Sequence, residues 1–467
     1  MSDDPATSTP AQFIANEIES LHDIRNLRVA PVVSSQEIRD RLEAYTFAHE
    51  IPLAESLPDV ADMLRQWTLH ATHPRYFGLF VPNTLEAGIW ADALAALYNP
   101  QVGAWWHSPA ANEIEIHTLK FLADLIGVEA ESAQFTSGGS EANLTALLAA
   151  IATAYPDALE GGVGEAATHG AVYVSSQAHH SIQKAARIAG LGNRVLRIIP
   201  CDDHHQMDVP ALSKTVEMDI ADGRKPIMIV GTLGTTTAGA IDDLEAIGKI
   251  ARENNVWYHV DAAWGGTAAF SSQLRHFLVG ISEADSLCWD AHKWLSVPMG
   301  AGMFFCRRAE VLRRVFGVDA AYVPKKSDEG DDLYLMSLQW SRRFIGLKVF
   351  LTLATVGHDG VARKIEHQLS IAHYFRTQLT SRGWIVVNKS PLPILCFTHP
   401  SLEGAESLAD VAQHVVASGR AWISTASLPE GPVLRACITH DDTSPADIDV
   451  LCEELDHALK DEQSYLR

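Results

Sequence analysis

A chain of 467 residues, 47% hydrophobic and 20% charged, is long enough for two or three domains and too apolar to be disordered. A formal charge of −22 disfavours nucleic-acid backbones and anionic membranes as partners. Six scattered cysteines without a Cys-x-x-Cys pair, a polar acidic start at Met1–Pro10 and no apolar run of membrane-spanning length predict a soluble cytoplasmic protein with buried free thiols and no metal site.

In chain order, Phe13, Ile14, Ile18 and Leu21, then Leu57, Val60, Leu64 and Trp67, recur at helical spacing and predict helices from 11 to about 70. The run His73-Pro74-Arg75-Tyr76-Phe77-Gly78 breaks that pattern. A helix through Leu85 to Leu97 follows, and Ile114, Ile116, Leu119, Leu122 and Ile126 mark an amphipathic helix over 109–126. From about 130 to 310, short apolar strands alternate with helices: Ala171–Ser175, Arg194–Ile199, Ile227–Gly231, Val256–Asp261, Ser286–Trp289 and Gly302–Cys306. Unbroken strands of this kind belong to a mostly parallel sheet covered by helices on both faces, an α/β fold.

Beyond about 340, a helix from Phe344 to Thr355 leads into an α+β tail with strands near Trp384–Val387, Ile394–Phe397 and Val433–Ile438. The expected division is a helical N-terminal segment over 1–100, a large α/β domain over 101–340 and a small α+β domain over 341–467. The polar, aperiodic stretch Lys325–Asp332 reads either as a surface connector or as a catalytic lid.

Ligands of such sheets bind at the carboxyl ends of strands, and chemistry-bearing residues gather there. Lys293, in Asp290-Ala291-His292-Lys293-Trp294, follows a buried strand; desolvation there lowers a lysine pKa and makes the amine a Schiff-base nucleophile. Asp261 ends a neighbouring strand, where a pyridinium nitrogen would need a carboxylate. Phe135-Thr136-Ser137-Gly138-Gly139-Ser140-Glu141-Ala142-Asn143 places a glycine-rich turn before a helix, which is ordinary capping or, beside the other motifs, a phosphate site. His179 in Gln177-Ala178-His179-His180-Ser181 either stacks on an aromatic cofactor or is a polar loop residue. Thr232–Gly239 adds hydroxyls to the same rim. Together the motifs point to pyridoxal phosphate.

With Thr136-Ser137-Gly138-Gly139-Ser140-Glu141-Ala142-Asn143, Ser175-Ser176-Gln177-Ala178-His179, Thr232-Leu233-Gly234-Thr235-Thr236, Val260-Asp261-Ala262-Ala263-Trp264 and His292-Lys293-Trp294, the chain from about His73 to Ile438 resembles the group II pyridoxal-phosphate-dependent amino-acid decarboxylases of fold type I. The resemblance implies an aspartate aminotransferase-like architecture and a homodimer with N-terminal helices wrapped around the partner and active sites at the interface. It further implies that Lys293 carries the cofactor as a Schiff base, Asp261 holds the ring nitrogen protonated, Ala263 packs beneath the ring and His179 stacks above it. Thr235 would lie near the substrate carboxylate, Gly139, Ser140 and His292 would hold the phosphate, and Tyr322 would be the general acid that protonates Cα. Asp290 stands where many members have asparagine, so a carboxylate would meet the phosphate.

His73, Phe77 and Trp105 match segments that line the family's substrate pocket, and Arg435 matches a carboxylate-binding arginine; each is also a candidate for core or structural duty. An aromatic L-amino acid is the first expected substrate, converted to its amine and carbon dioxide. Gly103, five positions ahead of Ser108-Pro109-Ala110 where aromatic decarboxylases usually carry an aromatic residue, leaves an acidic amino acid as the alternative. Oxidative aldehyde formation, aldol-type cleavage and a non-catalytic cofactor-binding descendant are the remaining readings.

Overall fold

The unbroken apolar runs form a seven-stranded sheet in a unit made of Phe80–His373 and Val387–Cys396. Its strands are β1 (Ser132–Thr136), β2 (Gly170–Ser175), β3 (Leu196–Ile199), β4 (Lys225–Thr232), β5 (Trp257–Asp261), β6 (Ser286–Asp290) and β7 (Gly302–Cys306), in spatial order β1-β7-β6-β5-β4-β2-β3. Strands β2 to β6 pair in parallel, while β7 runs against both its neighbours, β1 and β6. Every residue of β2, β5, β6 and β7 is buried, so the alternation of a one-sided sheet is absent from their sequences. The computed structural model describes residues 9–80, 83–318, 330, 332–402 and 404–465.

Register sets the functional edge. Thr232 pairs with Asp261, Asp261 with Cys288, and both Thr136 and Asp290 with Gly302. The carboxyl ends of β1, β4, β5 and β6 therefore finish on one edge. Gly302 is required there by close approach, because a Cβ on it would lie 2.5 Å from Gly138 Cα. The helix Gly139–Ala154 starts at this edge and packs against the sheet. Its buried Ala142, Ala146, Ala149, Ala150 and Ala152 let its backbone approach closely, and the helix lacks a wide polar face because little of it meets water.

The second unit comprises Met1–Leu79, Tyr374–Val386 and Phe397–Arg467. The helices Pro10–Ser20, Ser35–Leu42 and Leu53–Trp67 realise the N-terminal periodicity; the second is held by a capping box in which Ser34 Oγ accepts from Glu37 N–H and Glu37 accepts from Ser34 N–H. A four-stranded sheet, ordered β10-β11-β9-β8, contains β8 (Ile385–Val386), β9 (Ile394–Thr398), β10 (Ser424–Leu428) and β11 (Gly431–Cys437). The helices Gly404–Ser418 and Pro445–Tyr465 pack on each other beside it. Among the described residues, no helix is long and apolar enough to cross a membrane.

Candidate active site

Turns leaving the strand ends enclose a cavity of about 310 Å³, built wholly from residues of the seven-stranded unit. Ser137, Gly138, Gly139 and Ser140 come from the β1–helix turn, His179 from the turn after β2, and Thr232, Gly234 and Thr236 from the end of β4. Asp261, Ala263 and Trp264 follow β5; Asp290, His292 and Lys293 follow β6. Phe80 and Asn143 complete the wall.

Lys293 Nζ donates to Asp290 Oδ2 at 2.9 Å, with the lysine side chain 23% exposed and the aspartate 2%. Burial pulls this ammonium's pKa down. The carboxylates of Asp290 and Asp261, with the Asp290 hydrogen bond, outweigh burial and leave it above the ordinary lysine value. The sequence expectation of a lowered pKa is thereby corrected: the strand end that desolvates the amine also brings two carboxylates to it.

Asp261 is buried, which by itself would raise its pKa. The Lys293 charge, Asn143 Nδ2 donating to Oδ2 at 3.0 Å and Ala263 N–H donating to Oδ1 at 3.1 Å hold it instead below the usual carboxylate range. Cys288 Sγ lies 3.3 Å from Oδ1 as a further weak donor. Desolvation lowers His179, partly offset by the Asp261 charge. Desolvation likewise lowers His292, whose Nδ1 accepts the Ala301 N–H at 3.1 Å and so leaves the ring proton on Nε2.

The donor set fits a phosphorylated pyridine. The first turn of the Gly139–Ala154 helix offers N–H groups without intrahelical carbonyl partners, beside the hydroxyls of Ser137 and Ser140 and the His292 imidazole. A Cβ on Gly139 would lie 2.9 Å from Asp290 Oδ2 and 3.3 Å from Ala263 Cβ, so a side chain there would fill the cradle. Buried Asp261 matches a protonated ring nitrogen. Asp290 is the discordant member: its Oδ1 is buried without a hydrogen-bond partner among the described residues, and its charge opposes a phosphate.

Of the residues singled out from sequence, the cavity brings together Gly139, Ser140, His179, Asp261, Ala263, Asp290, His292 and Lys293. Thr235 is fully buried, with Oγ1 accepting the Ala240 N–H at 3.0 Å inside its own loop, and Thr236 stands in the wall instead. Trp105 is turned to its own segment, donating through Nε1 to Glu113 at 2.7 Å.

The other unit holds His73, Phe77 and Arg435. There Phe77 N–H donates to Trp422 O at 2.8 Å, Phe77 O accepts from Cys437 N–H at 3.0 Å, and Arg435 Nη1 donates to Gly78 O at 2.8 Å. Buried His73 accepts the Arg75 N–H at Nδ1, and burial pushes its pKa down to about 4. Tyr322 and the stretch Lys325–Glu329 lie outside the described residues.

Asn143 and His259 were not among the expected site residues, although periodicity marks both. Asn143 falls one helical turn after Gly139, and His259 lies two residues before Asp261 on the same strand face.

The whole chain was also compared with known proteins. The family described as pyridoxal-dependent decarboxylase conserved domain matches residues 38–399. An aromatic-L-amino-acid decarboxylase of Bacillus atrophaeus is 29% identical over 432 residues, covering 90% of this chain and 88% of that protein. A cysteine sulfinic acid decarboxylase of Homo sapiens is 30% identical over 424 residues, covering 85% and 84%. A crystal structure of Oryza sativa TDC with PLP and tryptamine superposes with a TM-score of 0.90 at 24% identity, over 97% of this chain and 96% of that one, a likeness of fold.

Proposed function

We propose, for a chain that belongs to the pyridoxal-dependent decarboxylase family, that Lys293 and Asp261 hold the cofactor between them and that an aromatic L-amino acid is the preferred substrate. The chain is a pyridoxal-phosphate-dependent amino-acid decarboxylase, a carboxy-lyase, with a fold type I α/β architecture. The observation that carries the residue assignment is the convergence of a buried ionised aspartate and a lysine on one cavity walled by a glycine-rich helix start.

Bound pyridoxal phosphate supplies an electron sink for the pair released when the Cα–carboxylate bond breaks. The protein's part is positional and electrostatic. Lys293 would supply the amine that holds the cofactor. Asp261, held ionised, would keep a proton on the ring nitrogen. Gly139, Ser140 and His292 would hold the phosphate, with Ala263 and His179 on either side of the ring. Thr235 shapes the loop that presents Thr236. Tyr322 would be the acid that supplies the proton to substrate Cα.

Support for an aromatic substrate comes from Phe80 and Trp264, which line the cavity with ring centroids 4.4 Å apart, and from the Bacillus relative. At Gly103 a Cβ would lie 2.6 Å from Trp340 O, so an aromatic side chain has no room there. An acidic substrate is the second reading, favoured by that missing aromatic and by the cysteine sulfinic acid relative.

A homodimer is the proposed assembly, supported by Trp90, Leu94, Leu97 and Tyr98 on the helix Glu86–Tyr98, which are 41–75% exposed. All six cysteines are free, in keeping with a reducing cytoplasm.

The deciding experiment offers the holoenzyme a panel of L-amino acids and measures carbon dioxide, amine, aldehyde and peroxide. Equal amine and carbon dioxide from an aromatic member is the expected result. The same stoichiometry from an acidic member alone overturns the aromatic preference. In the same assay Tyr322→Phe is expected to divert part of the flux to aldehyde and peroxide, and amine alone from that variant removes the role given to Tyr322.

Asp290→Asn provides a prediction of opposite sign. It removes a negative charge beside the phosphate, so pyridoxal phosphate is expected to bind about tenfold tighter. It also removes one of the two carboxylates that raise Lys293, so the pKa of that amine falls and cofactor capture becomes faster at neutral pH. Capture rates followed by the visible band across pH test both effects; an unchanged pH profile with unchanged affinity removes Asp290 from the phosphate cradle.

A further inference from the structure

From the cavity wall into the core, polar side chains form one continuous line. Trp257 Nε1 lies 2.9 Å from Ser286 Oγ, which is 2.8 Å from His259 Nδ1; His259 Nε2 is 2.8 Å from Asn143 Oδ1. Asn143 Nδ2 then branches to Asp261 Oδ2 at 3.0 Å and to Ser181 Oγ at 2.7 Å, and Ser181 Oγ lies 2.8 Å from His179 Nδ1. Trp257, Ser286, His259, Asn143 and Ser181 are each at most 4% exposed. Groups so deeply buried leave little room for water between them, so the direction of each hydrogen bond is set by its neighbours in the chain.

Two fixed points decide the direction. An indole N–H only donates, so Ser286 accepts from Trp257. An ionised carboxylate only accepts, so Asn143 presents its NH₂ to Asp261 and its carbonyl oxygen to His259. His259 must then donate from Nε2. Burial keeps this imidazole neutral, with its pKa pushed down to about 4, so Nδ1 accepts the Ser286 hydroxyl proton. On the other branch Ser181 accepts from Asn143 and donates its hydroxyl proton to His179 Nδ1. That nitrogen also accepts the Ser181 backbone N–H at 3.2 Å, which a protonated Nδ1 could not do.

We propose that Asn143 and His259 are positioning residues which, through this one-way chain, hold Asp261 as an ionised acceptor and His179 as its Nε2–H tautomer. One amide thereby sets the state of both Asp261 and His179. The inference rests on the reading of the cavity as a pyridoxal-phosphate site. The titratable groups around Asp261 are Lys293, His259, His179, Cys288 and Asp290.

The test is made on holoenzymes, reading the pH midpoint of the visible cofactor band together with kcat and KM. Asn143→Leu keeps bulk but removes both donors. Its midpoint is expected to move by about one pH unit, tenfold in the protonation equilibrium. Its kcat should fall about tenfold or more with KM nearly unchanged, the split that marks a loss felt in the transition state. Ser286→Ala, at the far end of the chain, should move the band in the same direction by less. His259→Gln, which keeps a donor towards Asn143, should recover most of the wild-type midpoint.

A coloured Asn143→Leu enzyme with wild-type midpoint and kcat overturns the inference alone. If that variant fails to fold, Ser286→Ala decides, and an unmoved band overturns the inference. A wild type that stays colourless with pyridoxal phosphate overturns the decarboxylase reading and this inference with it.

Discussion

Lys293→Ala is expected to abolish carbon dioxide release, with kcat reduced by a factor on the order of 10⁴ or more, because no other amine among the cavity-lining residues can hold the cofactor. The same change removes the cation that faces Asp290 at 2.9 Å and offsets the buried Asp261. Two carboxylates left without a counter-ion in a largely buried cavity destabilise the fold, by about 3 kcal/mol at the buried limit. Lys293→Arg separates the two consequences. A guanidinium restores the charge and recovers most of the melting temperature, but does not form the Schiff base, so turnover stays absent. Trapped carbon dioxide and thermal melts of both variants are the measurement. Turnover within tenfold of wild type in either variant would remove Lys293 from the chemistry.

The sheet was legible in the sequence where burial on both faces leaves an unbroken apolar run, as in Ile227–Gly231 and Ser286–Trp289. It was not legible at β1, which was not among the expected strands. Ser132 and Gln134 interrupt that run, and Gln134 is accommodated by donating to Met336 O at 3.0 Å, a partner some 200 residues away. The helix expected over Phe344–Thr355 is observed as Gly346–Ser381, interrupted at Gly357 with φ 70°; a glycine in a left-handed conformation resembles a terminator although helix resumes beyond it.

The cavity residues were legible because strand-end motifs carry them. Thr235 and Thr236 show the limit, since which one faces the cavity depends on the Gly234–Gly239 turn folding back so that Ala240 N–H reaches the Thr235 hydroxyl. The proton affinity of Lys293 was illegible for a similar reason. A strand end implies desolvation, but the countervailing field arises only when Asp290 and Asp261 converge on the amine.

Asp261→Asn should uncouple cofactor capture from turnover. Lys293 remains, so the variant is expected to take up pyridoxal phosphate and colour. With the Asp261 charge gone and Asp290 the main group left to raise it, the lysine pKa should be lower than in the wild type. Turnover depends on the charge that was removed: without a carboxylate the ring nitrogen loses the partner that keeps it protonated, and the electron sink weakens. A drop in kcat of roughly 10²–10³ is expected, the scale seen when one preorganised electrostatic partner is deleted.

The surrounding hydrogen bonds make the asparagine a poor mimic despite its shape. Asp261 Oδ2 and Oδ1 accept from Asn143 Nδ2, Ala263 N–H and the Cys288 thiol, so an NH₂ on either position meets a donor. Asp261→Asn with Asn143→Asp restores the donor–acceptor match between these two side chains and moves the charge from position 261 to position 143, away from the atom that needs it. That pair should regain melting temperature without regaining kcat. Recovery of kcat in the double variant would place the requirement on total charge in the cavity, whereas recovery of stability alone would place it on the Asp261 carboxylate itself.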